Sequence, residues 1–280
     1  MNIINIAAYR FVTLTDLPEL RIHLKEKCLS LELRGTILLA SEGINLFLAG
    51  TREHINEFTD FLTEDKRFAG MEFKESPSSH LPFNRMLVKL KKEIISMGMP
   101  EISPAEHPAP SVTAETLKSW LDEGRDVVLL DTRNDYEVRL GTFNHAQHLD
   151  LETFRAFPEE VKKLDPALKE KTVVTFCTGG IRCEKAAPVL LHAGFKEVYQ
   201  LAGGILKYFE EVGGDHYDGE CFVFDRRVAL NPKLEQSKTV QCFNCLAPVS
   251  PQEQVLPQYV PDISCPRCAD GKPVKKVIAS

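Results

Sequence analysis

No apolar run in this chain of 280 residues approaches the ~18 that a membrane span requires. The opening MNIINIAAYRF lacks a basic segment leading into a long apolar stretch, so neither an anchor nor a secretory leader is expected and the chain reads as cytoplasmic. There is no surplus of positive charge. Lys and Arg number 34 against 40 Asp and Glu, a net charge of -6, with the acidic excess in residues 112–215. That balance argues against a nonspecific nucleic-acid coat, while leaving room for a local basic patch that docks one folded RNA. No internal repeat, low-complexity tract, or flavin, haem or nucleotide signature is visible. What is present is a composition of 43% hydrophobic and 26% charged residues, enough apolar surface for real cores. The length favours about two domains with a small third. Eight cysteines without an export signal point to thiol chemistry or metal ligation rather than to a disulfide framework.

Hydrophobic periodicity divides the chain into an α+β part, an α/β part and a tail. Residues 1–97 read as strand (NIINIAAYRFV), amphipathic helix (Asp16 to Leu29), two strands (TILLA and INLFLA), a second helix (REHINEFTDFLTED) and two more strands. The last two are MEFKE and, after the turn-rich SPSSHLPFN, RMLVKLKKEII. That order matches a ferredoxin-like domain with one extra strand. Residues 98–111 carry Pro100, Pro104, Pro108 and Pro110 and read as a stiff linker. Residues 112–215 alternate helix and strand: TAETLKSWLDEG, VVLLD, a helix around FPEEVKKL, VVTF, EKAAPVLLHAGF and VYQL. Such alternation implies a parallel α/β sheet, which binds ligands off the carboxyl ends of its strands. Residues 216–280 are too turn-rich for a large core of their own.

The strongest chemical signal is the strand VVTF running into Cys177, then Thr178, Gly179, Gly180 and Ile181, then Arg182 and Cys183 at the start of a helix. Glycines let backbone amides turn inward, so a ring of N–H donors and a helix N-terminus surround the Cys177 sulfur and favour its thiolate or an anionic adduct such as a persulfide. Arg182 closes the loop through a carboxylate partner or by binding an anion directly. The competing reading is a cysteine buried at a strand end. Cys183 is either a thiol placed to resolve an oxidised or persulfidated Cys177, or a packing residue. Cys28 and Cys221 read as core, and His145 and His148 as turn residues lacking a third metal ligand.

In the tail, Cys242-x2-Cys245 and Cys265-x2-Cys268 have the spacing of a four-thiolate structural zinc site. Four thiolates would leave no open position for a catalytic water; the alternative is a metal-free tail, reduced or disulfide-paired. The cluster Arg85, Lys89, Lys91 and Lys92 lies on the extra strand, where residues 85, 89 and 91 would share a face. It reads as a phosphate grip or as a solvated, lysine-rich strand edge.

Residues 112–215 resemble the rhodanese family, through Asp131-Thr-Arg133 followed by Glu137 and Gly141, the Cys177-x4-Arg182 loop, and Leu201-Ala-Gly203-Gly204. The loop length resembles the sulfur-handling type; in phosphatase-like loops the arginine would stand where Cys183 is. The whole chain resembles the rhodanese-like tRNA uridine hydroxylases. The further residues that carry this are Ser41-Glu-Gly43-Ile44-Asn45, Pro82-Phe83-Asn-Arg85, Val88-Lys-Leu-Lys-Lys-Glu93-Ile94, Cys177 to Cys183 followed by Glu-Lys-Ala, Cys221-Phe-Val-Phe-Asp-x-Arg227 and the paired Cys-x2-Cys tail. The resemblance implies oxygen-dependent formation of 5-hydroxyuridine at the tRNA wobble position, with Cys177 as the active-site residue, molecular oxygen as co-substrate, the tRNA anticodon region as partner and an unidentified electron or sulfur donor. The residues themselves leave open a sulfurtransferase carrying a Cys177 persulfide, and a non-catalytic adaptor.

Overall fold

The computed structural model describes residues 3–269. The N-terminal part runs β1 (Ile3–Phe11), α1 (Leu17–Ser30), β2 (Arg34–Ala40), β3 (Gly43–Thr51), α2 (Arg52–Glu64), β4 (Lys74–Ser78) and β5 (Met86–Leu90). Its sheet has the order β4-β1-β3-β2-β5, a ferredoxin-like sheet with β5 added parallel to β2. Local chemistry explains the helices. Leu20, Leu24 and Cys28 recur every four residues of α1 and are buried together; in α2 Thr51 caps the N-terminus by accepting from the His54 amide, and Ile55, Phe58 and Leu62 face inward. Both helices pack on one face of the sheet, against Ile4, Ile6, Leu46 and Leu48. Cross-strand pairs Tyr9–Asn45, Ala7–Phe47 and Ala7–Lys74 therefore occupy the opposite face.

Two expectations for this part need correction. The fourth strand spans Lys74–Ser78, not MEFKE, and so includes Pro77 from the stretch read as turn. It is an edge strand, where the missing proline N–H costs no ladder bond. The last strand ends at Leu90, so of the basic cluster only Lys89 lies in it, and Arg85, Lys91 and Lys92 do not line one strand face. The chain turns there because the Ile94 amide is drawn to the Glu42 carboxylate and the Met97 and Gly98 amides to Glu93.

The second part contains β6 (Ser111–Val112), α3 (Ala114–Asp122), β7 (Val127–Asp131), α4 (Asp135–Val138), β8 (Gly141–Phe143), β9 (Gln147–His148), α5 (Phe157–Val161), β10 (Thr172–Phe176), α6 (Ile181–His192), β11 (Glu197–Leu201) and α7 (Gly204–Val212). Its parallel sheet, β6-β11-β10-β7-β9, carries a core on each face. The proline-rich connection joins one of these cores, burying Ile102 and Ala109 beside Met97. The tail adds β12 (Tyr217–Gly219), which pairs with β8, then the short pairs β13 (Cys221–Phe222) with β14 (Ala229–Leu230) and β15 (Val240–Gln241) with β16 (Pro248–Val249), and finally α8 (Pro251–Gln254). Among the described residues no helix is long and apolar enough to cross a membrane.

Candidate active site and cysteine cluster

Central strand β10 delivers Cys177 at its carboxyl end, and α6 starts four residues later. Gly180 caps α6 with φ +96°, and a Cβ there would lie 2.8 Å from the Tyr9 hydroxyl, so this position requires glycine. Gly179 has open space and is not required sterically. Gly204 lets α7 approach the loop, with the Ile205 and Leu206 amides donating to the Cys177 and Thr178 carbonyls; a Cβ at Gly204 would lie 2.4 Å from the Cys177 oxygen.

The Gly180 amide donates to Cys177 Sγ at 3.1 Å. Burial opposes ionisation of Cys177. A hydrogen bond from the Cys183 thiol, the Arg182 charge and the amides of Arg182 and Gly180 outweigh it and lower the pKa to about 5. Cys183 moves the other way, raised by burial first and then by the Cys177 thiolate, with Thr175 and Thr132 opposing. The loop thus holds one thiolate beside one thiol.

Arg182 does not face a free anion site. Its guanidinium is committed to Glu137 at 2.5 and 2.8 Å, both side chains buried, and Thr178 Oγ1 donates to the same carboxylate at 3.0 Å. Glu137 sits in the first turn of α4, where its Oε2 also accepts the Asn134 amide. The Asp131–Arg133 pair is a separate buried unit that fixes the β7 turn onto the Gly141 carbonyl. Cys28 and Cys221 are buried thiols, each pushed up to about 12, with burial the first cause.

The far face of the N-terminal sheet roofs this loop. A cavity of about 50 Å³ is lined by Tyr9, Asn45, Phe47 and Lys74 from the sheet and by Cys177 and Phe224 opposite. Tyr9 and Lys74 also border a wider groove of about 440 Å³, into which Arg10, Glu184 and Gln200 project. The Tyr9 hydroxyl donates to Glu184 at 3.1 Å, and Gln200 donates to the other oxygen of that carboxylate. Sequence reasoning missed Tyr9, Phe47, Lys74 and Phe224. One signal was available: a sheet with helices on one face needs one apolar face, yet Ala7, Tyr9 and Phe47 put apolar groups on the other.

Several residues that carried the resemblance join the domains instead of lining the cavity. Buried Lys185 on α6 reaches Glu42 at 2.9 Å, Glu93 at 2.8 Å and the Ile95 carbonyl at 3.1 Å; Asn45, which does line the cavity, donates to the Ile94 carbonyl within its own domain. Arg227, paired with Asp225, donates to Ser76 Oγ on β4. The basic residues Arg85, Lys89, Lys91 and Lys92 are exposed, stand outside the cavity, and have no ion pair among the described residues. His145 and His148 join no metal-binding group among the described residues; His148 faces Asp150 at 3.1 Å.

Cys242, Cys245, Cys265 and Cys268 converge, with all four sulfurs within 4.8 Å of one another. The Cys242–Cys268, Cys245–Cys265 and Cys265–Cys268 separations are 3.8, 3.6 and 3.8 Å. These are too long for disulfides and close to the ~3.8 Å edge of a tetrahedron with metal–sulfur bonds of about 2.3 Å. The group can hold a metal ion. It packs with Tyr136 of α4 and Phe222, next to the residue that anchors Arg182.

Comparison with known proteins agrees with this architecture. Residues 3–94 match the family described as UPF0176 acylphosphatase like domain, and residues 113–211 match the rhodanese-like domain. The chain is 57% identical to the tRNA uridine(34) hydroxylase of Cupriavidus necator over 97% of this chain and 98% of that protein. It is 56% identical to the protein of the same name from Cupriavidus metallidurans, over 96% and 98% of the two chains. It is 54% identical to that of Paraburkholderia xenovorans, over 96% of each.

Proposed function

The chain belongs to the family of tRNA uridine(34) hydroxylases, and on that premise we propose that Cys177 is the residue on which hydroxylation of uridine 34 to 5-hydroxyuridine turns. The observation that carries this is the placement of the Cys177 sulfur at the end of β10, where it accepts from the Gly180 amide beside Cys183 and the Arg182 charge, a setting that favours its thiolate. A thiolate beside an apolar cavity suits addition to C6 of a uracil. The S–C6 bond forms, the C5–C6 π pair moves into an enolate shared by C5 and O4, and C5 attacks dioxygen. A two-electron reductant outside the chain cleaves the O–O bond and releases water. Loss of the C5 proton and departure of the Cys177 thiolate then restore the ring.

The cavity of about 50 Å³ is smaller than the ~150 Å³ that admits benzene. The base therefore enters from the adjoining groove as Tyr9 leaves Glu184, flipped from the anticodon stack. The exposed cluster Arg85, Lys89, Lys91 and Lys92 grips tRNA phosphates outside the cavity. The four tail cysteines hold one structural zinc ion, which would cross-link the tail and supply no open coordination position. The reaction takes place in the cytoplasm.

Cys177→Ser should lower modification by about 10³-fold or more at unchanged fold, because a hydroxyl in the same cradle stays protonated and is a poor nucleophile. Nucleoside mass spectrometry of tRNA from a deletion strain carrying wild-type or Cys177→Ser protein is the test. Full 5-hydroxyuridine with the serine variant would overturn the proposal. Loss of a thiolated nucleoside instead would favour the sulfurtransferase reading, which the same amide cradle also suits.

A further inference from the structure

Lys74 opens the edge strand β4, opposite Ala7 of β1, and its half-buried side chain borders three adjoining spaces. These are the Cys177 cavity, the groove beyond Tyr9 and a cleft beside Phe83 and Arg227. Its ammonium lies 5.2 Å from the centre of the Tyr9 ring and has neither an ion pair nor a hydrogen bond among the described residues. Arg10 lies across the wider groove, also without an ion pair among the described residues, but does not line the Cys177 cavity; the other cations nearby are committed. Arg182 is held by Glu137, Lys185 by Glu42 and Glu93, Arg227 by Asp225, and Lys207 by Glu210 and Glu211. The charged groups that bear on Lys74 are Glu72 just before its strand, Cys177 in the loop, Lys207 on α7 and Glu184 on α6. Burial pushes the ammonium below the usual lysine range, with Glu72 and Cys177 opposing.

An ammonium left uncommitted at a thiolate site is suited to an anion that appears only during reaction. Thiolate addition to C6 creates such an anion, and its charge is shared with O4. A phosphate is a poorer match, because Ala7, Phe47, Leu206 and Phe224 make the cavity wall apolar and suit a flat ring. We infer that Lys74 is a catalytic residue, whose ammonium donates a hydrogen bond to uracil O4 and stabilises the enolate formed when Cys177 adds to C6. This rests on the proposed role of Cys177.

The test is single-turnover hydroxylation of tRNA by the purified full-length enzyme, with Lys74→Met, Lys74→Gln and Lys74→Arg compared at matched thermal stability and Cys177→Ser run alongside. The two neutral variants should lose about 10²-fold to 10³-fold in rate while the Kd for tRNA stays within about twofold, since the contact strengthens only as charge develops. Lys74→Arg should recover at least about tenfold of the loss. In the wild type the rate should fall at alkaline pH as the ammonium loses its proton, and in Lys74→Arg that fall should move to higher pH. A wild-type rate in both neutral variants, or a loss carried entirely by tRNA affinity, overturns the inference. An inactive Cys177→Ser beside fully active Lys74 variants removes Lys74 alone, whereas an active Cys177→Ser removes both readings.

Discussion

The chain holds two groups of buried cysteines whose environments differ in what surrounds each sulfur. At the head of α6, Cys177 is ringed by backbone amides, one thiol and a guanidinium, and the field makes it an isolated anion beside a cavity. In the tail the four sulfurs face one another; burial and then Cys245 and Cys242 push the Cys265 thiol up, while Cys268, which also accepts from the Cys265 and Asn244 N–H groups, is lowered against its burial. A single sulfur among N–H donors can attack a substrate. Four sulfurs at tetrahedral separation can hold a cation, which would make them a cross-link. The two groups meet through α4, which offers Glu137 to Arg182 and Tyr136 to the cysteine cluster.

Breaking the thiol-loop side of this comparison should have the largest effect. Glu137→Gln leaves the Arg182 guanidinium buried without its counter-charge and should cost about 3–5 kcal/mol of stability, read by denaturant unfolding. An unchanged midpoint would mean that Arg182 finds another partner. On the tail side, Cys242→Ser/Cys265→Ser should remove the one zinc ion that elemental analysis of chelator-free wild-type protein is expected to find, and should open residues 241–268 to proteolysis. Activity should fall only partly, through loosened packing on Tyr136; wild-type activity would show that the tail does not support α4. Metal-free wild-type protein with an ordered tail would refute the zinc assignment itself.

Cys183→Ala sharpens the comparison by removing the neighbouring thiol alone. Losing that donor should raise the Cys177 pKa above about 5, so the midpoint of iodoacetamide alkylation against pH moves upward. The sign for stability follows. A folded pKa below the unfolded thiol value of ~8.5 contributes stability that is complete above that value and is lost as pH falls toward about 5. Cys183→Ala should flatten this dependence, and an unmoved alkylation midpoint would assign the low pKa to the amides and Arg182 alone. The smallest effect is expected from replacing Arg85, Lys89 and Lys91 together, which should reduce the log–log salt slope of tRNA binding by at most about 3. Equal slopes would make the cluster a solvated edge.

Features written within short segments were legible in the sequence. The strand–cysteine–glycine–helix run declared a thiolate loop because each part acts on its neighbours, and the paired Cys-x2-Cys spacing declared a four-sulfur group for the same reason. The ferredoxin-like order was legible through alternation and helical spacing, although the fourth strand slipped to Lys74–Ser78 because an edge strand tolerates the proline that suggested a turn. The roles of Glu42 and Glu93 were not legible. A motif in one domain gave no sign that it is met by Lys185 on the other.

Local sequence thus determined the cysteine at the strand end with its glycine loop, the four-cysteine spacing and the order of the elements, because hydrophobic period, glycine conformation and ligand spacing act over a few residues. Tertiary structure alone decided that Tyr9, Phe47 and Lys74 close over Cys177, that Arg182 is spent on Glu137, and that the basic cluster stands outside the cavity. The physical reason is that docking one sheet face onto a loop more than a hundred residues away depends on shape and charge complementarity between surfaces. No local pattern in either segment records which partner it will meet.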